Sequence, residues 1–111
     1  MVEAEKYLLQ SLKITKEIGF IRDIINLLYE FARLRVAQDN SEGAVELLAL
    51  VIQHPASHQI RMHEGRIRDS ARQLLADIED KLPTATYNAA VELGEQLNLD
   101  EVVEHLIGSQ R

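Results

Sequence analysis

Three of the four histidines lie close together, at positions 54, 58 and 63, and Glu64 follows directly. Histidine and carboxylate side chains at short spacings are the usual ligands of zinc. Pro55 stands between His54 and His58, however, so these two residues cannot share one face of a continuous helix. The chain also has no cysteine to complete a tetrahedral ligand set. We therefore expect no metal site, and we interpret these histidines as solvated groups near helix ends.

Nucleophilic catalysis would require a serine beside a base that a third group orients. The serines of this chain fit helix caps, core edges or the polar tail, and none lies in a GxSxG motif. The sequence also contains no HExxH motif and no glycine-rich phosphate loop. We therefore expect no enzymatic activity and no cofactor.

Three arginines, Arg61, Arg68 and Arg72, follow one another at spacings of seven and four residues, which places them on one face of a helix. Their guanidinium groups can bind an acidic partner segment or a phosphate. The alternative is that they only form weak local pairs with the carboxylates that interleave with them. The sequence leaves both interpretations open.

The formal net charge of −6 argues against binding to nucleic acid, because such binding depends on cationic side chains that displace condensed counterions. Glu3, Glu5 and Lys6 interrupt the first apolar stretch, so it does not resemble a signal peptide. No apolar run approaches the roughly 20 residues of a membrane span. Together with the absence of cysteine, these features predict a cytoplasmic protein without a membrane partner.

Periodic apolar residues predict an all-α fold in a single domain, residues 1–111, because no alternating run of β-branched residues is present. The expected helices span residues 2–18, 21–38, 41–55, 57–82, 84–97 and 99–107. Gly19 is expected to end the first helix in a left-handed conformation. Gly65 is expected to allow a bend or a close helix crossing.

The first and third of these helices have apolar residues on more than one face. The third, residues 41–55, is apolar nearly all round, so we expect it to be buried between neighbours. The first is expected to pack on two sides, because its apolar residues cover more than one narrow face. Its expected buried positions are Val2, Tyr7, Leu8, Leu9, Ser11, Leu12, Ile14 and Ile18.

An internal repeat relates residues 4–12 to residues 44–52 at an offset of 40 residues. Similar side chains recur at matched positions, with Leu8 matching Leu48 and Leu12 matching Ile52. The chain here resembles the tetratricopeptide repeat family, in which helical hairpins stack into a solenoid. The matching core positions are Leu28, Phe31 and Ala32 in the first-type helix and Ala44, Leu48 and Val51 in the second-type helix.

The turn between the two repeat helices matches the family pattern, whereas three other features depart from it. Asp39 and Asn40 stand where the family often has a Gly-Asp turn. Arg35 stands where an aromatic residue is usual, Val51 stands where a small residue is usual, and the period exceeds about 34 residues. Longer periods are similar to those in the sensor arms of bacterial signal-transducing ATPases and large transcriptional activators. Residues 47–56, 71–75, 87–94 and 99–103 resemble the carboxy-terminal end of such arms.

The resemblance implies a right-handed stack of about six antiparallel helices, with a repeat region at 1–55 and a divergent repeat and cap at 56–111. It further implies a module that binds a protein or peptide, or another domain of a larger signalling or transcription-regulating protein. Its concave face would be lined by Asn26, Tyr29, Arg33, Val36 and Ala37. The alternatives are a purely structural cap and a small helical ligand-binding or enzymatic bundle.

The amino-terminal helix is of the second type and has no first-type partner, so we expect Met1 to begin a fragment of a longer protein. The open end of a repeat array exposes apolar surface. We therefore expect a homodimer formed through the first helix.

Overall fold

The computed structural model describes residues 3–54 and 62–108, with side chains for residues 5–54 and 67–108. Every regular element in these ranges is an α-helix, which confirms the all-α prediction and the predicted number of six helices. The helices are α1 Glu3–Ile18, α2 Ile21–Ala37, α3 Ser41–Gln53, α4 Met62–Glu79, α5 Thr84–Gln96 and α6 Leu99–Gly108.

Helix α3 lies at the centre of the molecule, as its composition predicts. Asn40 caps its amino terminus, because the side-chain Oδ1 accepts a hydrogen bond of 3.1 Å from the backbone N–H of Gly43. Helices α2, α4 and α5 pack around it. Seven of its side chains are therefore buried: Ala44, Val45, Leu47, Leu48, Ala49, Leu50 and Val51.

Helix α1 ends as predicted but buries only one face. Gly19 has φ +85°, and its N–H donates to the carbonyl oxygen of Thr15 at 2.9 Å. Leu8, Leu9 and Leu12 are buried against the core. The prediction that Tyr7, Ile14 and Ile18 are also buried is wrong, and Val2 lies outside the described residues. These three residues are exposed because α1 packs on α2 and α6, which cover the opposite side of the helix.

Helix α2 buries the predicted stripe of Ile24, Ile25, Leu28, Phe31 and Ala32. Helix α4 buries Ala71 and Ile78 and ends at Glu79 rather than at the predicted residue 82. A turn follows it, in which the N–H of Lys81 donates to the carbonyl oxygen of Ile78 at 2.8 Å. The predicted start of this helix and the surroundings of Gly65 lie outside the described part.

Helix α5 packs closely on α3, and α6 returns to pack on α1. None of the helices in the described ranges combines the length and the apolarity that a bilayer crossing requires. The closing contact between α6 and α1 leaves a space beside the α2–α3 turn, where the candidate site lies.

Candidate functional site

An open cavity of about 280 Å³ lies between the α2–α3 corner and helix α6. We call it the Arg35 cavity. Both apolar and charged side chains face it, and they come from α2, α3, α6 and the link between α5 and α6. The lining residues are Arg35, Glu46, Leu47, Leu97, Glu101, Val102, His105 and Leu106.

Arg35 reaches this cavity from the last turn of α2, where a cation also suits the negative end of the helix dipole. Its half-buried Nη1 donates a hydrogen bond of 3.0 Å to the carbonyl oxygen of Gly43. Burial lowers the pKa of Arg35, while Glu46 and Glu5 act in the opposite direction. A guanidinium stays charged at neutral pH even so, which gives the cavity a fixed positive charge.

Glu46 places a negative charge near that guanidinium. Burial raises the pKa of the Glu46 carboxyl, Arg35 opposes the rise, and Glu42 adds to it. The two groups therefore lie within electrostatic range of each other. Within the described residues, however, the hydrogen bond to Gly43 is the only hydrogen bond or ion pair of the Arg35 side chain, so the guanidinium forms no ion pair with Glu46.

The rest of the cavity has an apolar wall and an acidic rim. Leu47 and Leu106 are buried, whereas Glu101 and His105 are exposed and lie one turn apart on α6. Asn98 fixes the start of this helix, because its Oδ1 accepts a hydrogen bond of 3.2 Å from the backbone N–H of Glu101. A ligand in this cavity would therefore meet both opposite charges and aliphatic surface.

A second cavity of about 360 Å³ lies at the opposite end of α3. It is lined by Ile21, Leu50, Gln53, His54, Leu97, Asn98, Leu99 and Asp100. The side-chain Nε2 of Gln53 donates to the carbonyl oxygen of Glu95 beside it. Its described lining residues include Asp100 but no arginine or lysine, whereas the Arg35 cavity has both a cation and carboxylates on its lining.

An apolar strip runs along the side of α1 that faces solvent. Tyr7, Ile14 and Ile18 are 69%, 58% and 57% exposed, and their spacing places them in one line along the helix. We call these three residues the α1 outer face. Phe20 and Ile21 extend the exposed apolar surface around the α1–α2 corner. Apolar residues that cluster in this way on a surface typically mark an interaction site.

The residues predicted to line a concave face lie together on one side of α2. Asn26, Arg33 and Ala37 are exposed, while Tyr29 and Val36 are half-buried and pack against the core. The Nη1 atom of Arg33 lies 3.5 Å from a carboxylate oxygen of Glu30 on the same helix. Neither of the two cavities includes any of these five residues.

The predicted arginine face is described in part. Arg68 is half-buried and Arg72 is exposed, one turn apart on α4. Beside them, Nε2 of Gln73 donates to Oδ1 of Asp77 at 3.3 Å. Arg61 lies outside the described residues, so the structure brings only two of the three predicted arginines together.

Of the histidine cluster, His54 is half-buried and lines the second cavity. His58 lies outside the described residues, as does the side chain of His63. Among the side chains that the structure does describe, no three histidine, aspartate or glutamate groups converge in a way that could hold a metal ion.

Sequence reasoning missed the Arg35 cavity. The available signal was Arg35 itself, a cation at a core-facing position where the resembled family usually has an aromatic residue. A charged residue at such a position is unusual enough to indicate a special environment. The partners on α6 carried no comparable signal, because Glu101 and His105 look like ordinary solvent-exposed helix residues.

No family model, no curated protein and no solved structure matches this chain.

Proposed function

We propose that this chain is a protein–protein interaction module that associates through the α1 outer face, and that its partner is a second copy of itself. The observation that carries the proposal is the line formed by Tyr7, Ile14 and Ile18, three large apolar side chains that are more than half exposed on one helix. Covering such surface is favourable by about 25 cal/mol for each Å² of apolar area.

The charge of α1 favours a second copy as the partner. The helix carries three acidic and three basic side chains, so its formal charge is zero, whereas the whole chain carries −6. Two copies that meet through other surfaces bring like charges together, which costs free energy. Contact through α1 brings together the part of the molecule where the charges balance.

The proposal includes the architecture that the sequence resembles, a right-handed tetratricopeptide-like stack of antiparallel helices in a cytoplasmic signalling or transcription-regulating protein. The burial of Leu8 and Leu12 in α1 and of Leu48 in α3 supports it, because the repeat matches Leu8 with Leu48. The half-burial of Ile52, which the repeat matches with Leu12, is consistent with it.

Sedimentation equilibrium over a range of protein concentrations tests the self-association. We expect the native chain to form a weak dimer, because one helix face buries less than the 1,200–2,000 Å², roughly, of a stable interface. Ile14→Glu places a charge in the middle of the face and should leave a monomer. Leu93→Glu is the matched control, because it makes the same kind of change at an exposed apolar residue of α5. A native chain that stays monomeric at about 1 mM, or equal loss of the dimer in both variants, would contradict the proposal.

A second candidate function is peptide binding by the face of α2 that carries Asn26, Arg33 and Ala37. The observation that favours it is their common exposure on one side of a helix whose other side is buried. Peptides selected from a random library on the native chain should lose binding to Arg33→Glu and keep it with Arg72→Glu. Selected peptides that bind both variants equally would rule out this surface, and selective loss with Arg72→Glu would point to α4 instead.

A further inference from the structure

The Arg35 cavity brings two opposite charges and an apolar wall into one small space. Within the described part of the chain, the guanidinium of Arg35 uses one of its five N–H donors, in the hydrogen bond to Gly43. Glu46 lines the same cavity and influences this group electrostatically, and among the described side chains the two form no direct ion pair. The cavity therefore offers the cationic Arg35 and the anionic Glu46 on one lining, to a ligand that can bridge them.

The charges of the cavity limit the class of ligand. A phosphate or a dicarboxylate would meet Glu46 and Glu101 on the same lining, within a chain of net charge −6. A wholly apolar molecule would remove water from Arg35 and Glu46 without replacing the lost hydrogen bonds, which is costly. A molecule with neighbouring positive and negative groups avoids both penalties.

The volume of the cavity and its apolar wall limit the size and the polarity of the rest of the ligand. About 280 Å³ is below the 300–1,000 Å³, roughly, that is typical of pockets for drug-sized compounds. Leu47, Leu97, Val102 and Leu106 supply aliphatic surface for a side chain of moderate size. A single amino acid satisfies the volume, the charges and the apolar wall together.

We propose that the Arg35 cavity binds a free α-amino acid with an aliphatic or aromatic side chain. Its carboxylate accepts hydrogen bonds from Arg35, and its ammonium group donates to Glu46. Its side chain packs on the leucine and valine wall. This site is separate from the α1 outer face, so the inference does not depend on the proposed self-association.

Titration of the isotope-labelled chain with L-leucine, followed by amide NMR shifts, tests this proposal. We expect saturable shifts in residues around the cavity. The two matched probes are 4-methylpentanoate, which lacks the ammonium group, and 3-methylbutylamine, which lacks the carboxylate. Each should bind at least about tenfold more weakly, because each leaves one charged partner unpaired. The absence of saturable shifts up to about 10 mM leucine, or equal binding of all three compounds, would overturn the proposal.

Variants locate the site. Arg35→Met and Glu46→Gln should each weaken leucine binding at least tenfold. Arg33→Met is the control, because Arg33 lies on the same helix but its guanidinium is near Glu30, outside the cavity. Val102→Phe fills the cavity and keeps the charges of Arg35 and Glu46, so it should also abolish leucine binding. This variant provides the test if Arg35→Met fails to fold. Unchanged binding in Val102→Phe, or equal loss in Arg33→Met, would place the ligand elsewhere.

Discussion

Asp39 is held in a conformation that most residues avoid, with φ 61°. It follows the carboxy terminus of α2, where its N–H donates to Val36 and the N–H of Asn40 donates to Arg35 at 2.8 Å. This hydrogen-bond pattern is the Schellman motif, which requires a left-handed residue at the position of Asp39. Glycine adopts this conformation without a steric penalty, so a side chain at this position costs conformational energy.

Asp39→Gly should stabilise the fold by roughly 0.5–1 kcal/mol, because glycine adopts this conformation without a Cβ clash. The measurement is the free energy of unfolding in urea. Gln38→Gly provides the control one residue earlier, where φ is −94° and glycine only adds flexibility to the unfolded chain. We expect the two substitutions to change the free energy of unfolding in opposite directions. A loss of stability in both variants would contradict backbone strain at Asp39.

Glu46 makes stability depend on pH. Its folded-state pKa is raised from 4.5 by burial, with Arg35 opposing and Glu42 adding to the rise. The folded chain therefore holds this proton more tightly than the unfolded chain. The stability contributed by this carboxyl is fully present below its ordinary pKa and is lost as pH rises through the folded pKa.

Glu46→Gln removes this dependence. The stability of the variant minus that of the native chain should increase as pH rises from about 4 to about 7, because only the native chain loses the contribution of this carboxyl. The increase should be small, since solvent screens a partly exposed group. Urea unfolding across this range measures the difference. Glu92→Gln removes an exposed carboxylate of α5 and is the control for the loss of one negative charge. If the stability difference between Glu46→Gln and the native chain did not change with pH, burial would not raise the pKa of Glu46.

At the scale of the elements, the packing of α5 on α3 depends on Gly94. A Cβ atom at this position would lie 2.4 Å from the backbone oxygen of Glu46 and 2.6 Å from the Cβ of Ala49. A backbone oxygen in the middle of a buried helix cannot move aside without shifting the whole helix. The glycine therefore sets how closely the two helices approach.

Gly94→Ala should destabilise the fold by roughly 1–2 kcal/mol, since the cost of overpacking exceeds the gain of about 1 kcal/mol in helix propensity. Thermal or urea unfolding measures this loss. Gly108→Ala is the matched control, because a Cβ there lies within 4 Å of no atom in the described part of the chain. A variant at Gly94 as stable as the native chain would mean that α3 and α5 can separate at little cost.

The sequence could predict some elements fully and others only in part. Helix α3 is predictable because an almost uniformly apolar helix can only be buried, and Leu48 and Val51 are indeed fully enclosed. Helix α1 has two apolar faces, and periodicity alone cannot say which face meets a partner, so the exposure of Tyr7 and Ile14 was not foreseen. The Arg35 cavity joins residues from distant helices, a relation that local spacing does not encode.

At the scale of the whole molecule, the described helices differ in how firmly they are held. Helix α3 packs against α2, α4 and α5, whereas α6 packs chiefly on α1. The pairing of Lys16 with Glu104 joins α1 to α6, but both side chains are exposed, so it contributes at most about 1 kcal/mol. Local opening of α6 should therefore cost less than unfolding of the central helices.

Native-state hydrogen exchange tests this difference. The amides of Leu48 and Val51 should exchange only through global unfolding, because opening α3 exposes the core on three sides. The amides of Val103 and Leu106 should exchange through local opening, at a free energy at least about 1 kcal/mol lower. Helix α6 forms one wall of the Arg35 cavity, so L-leucine should slow the amide exchange of Val103 and Leu106. The exchange rate of Val51 should change less when leucine is added. Equal exchange free energies in α3 and α6 without ligand would show that the molecule opens as a single unit.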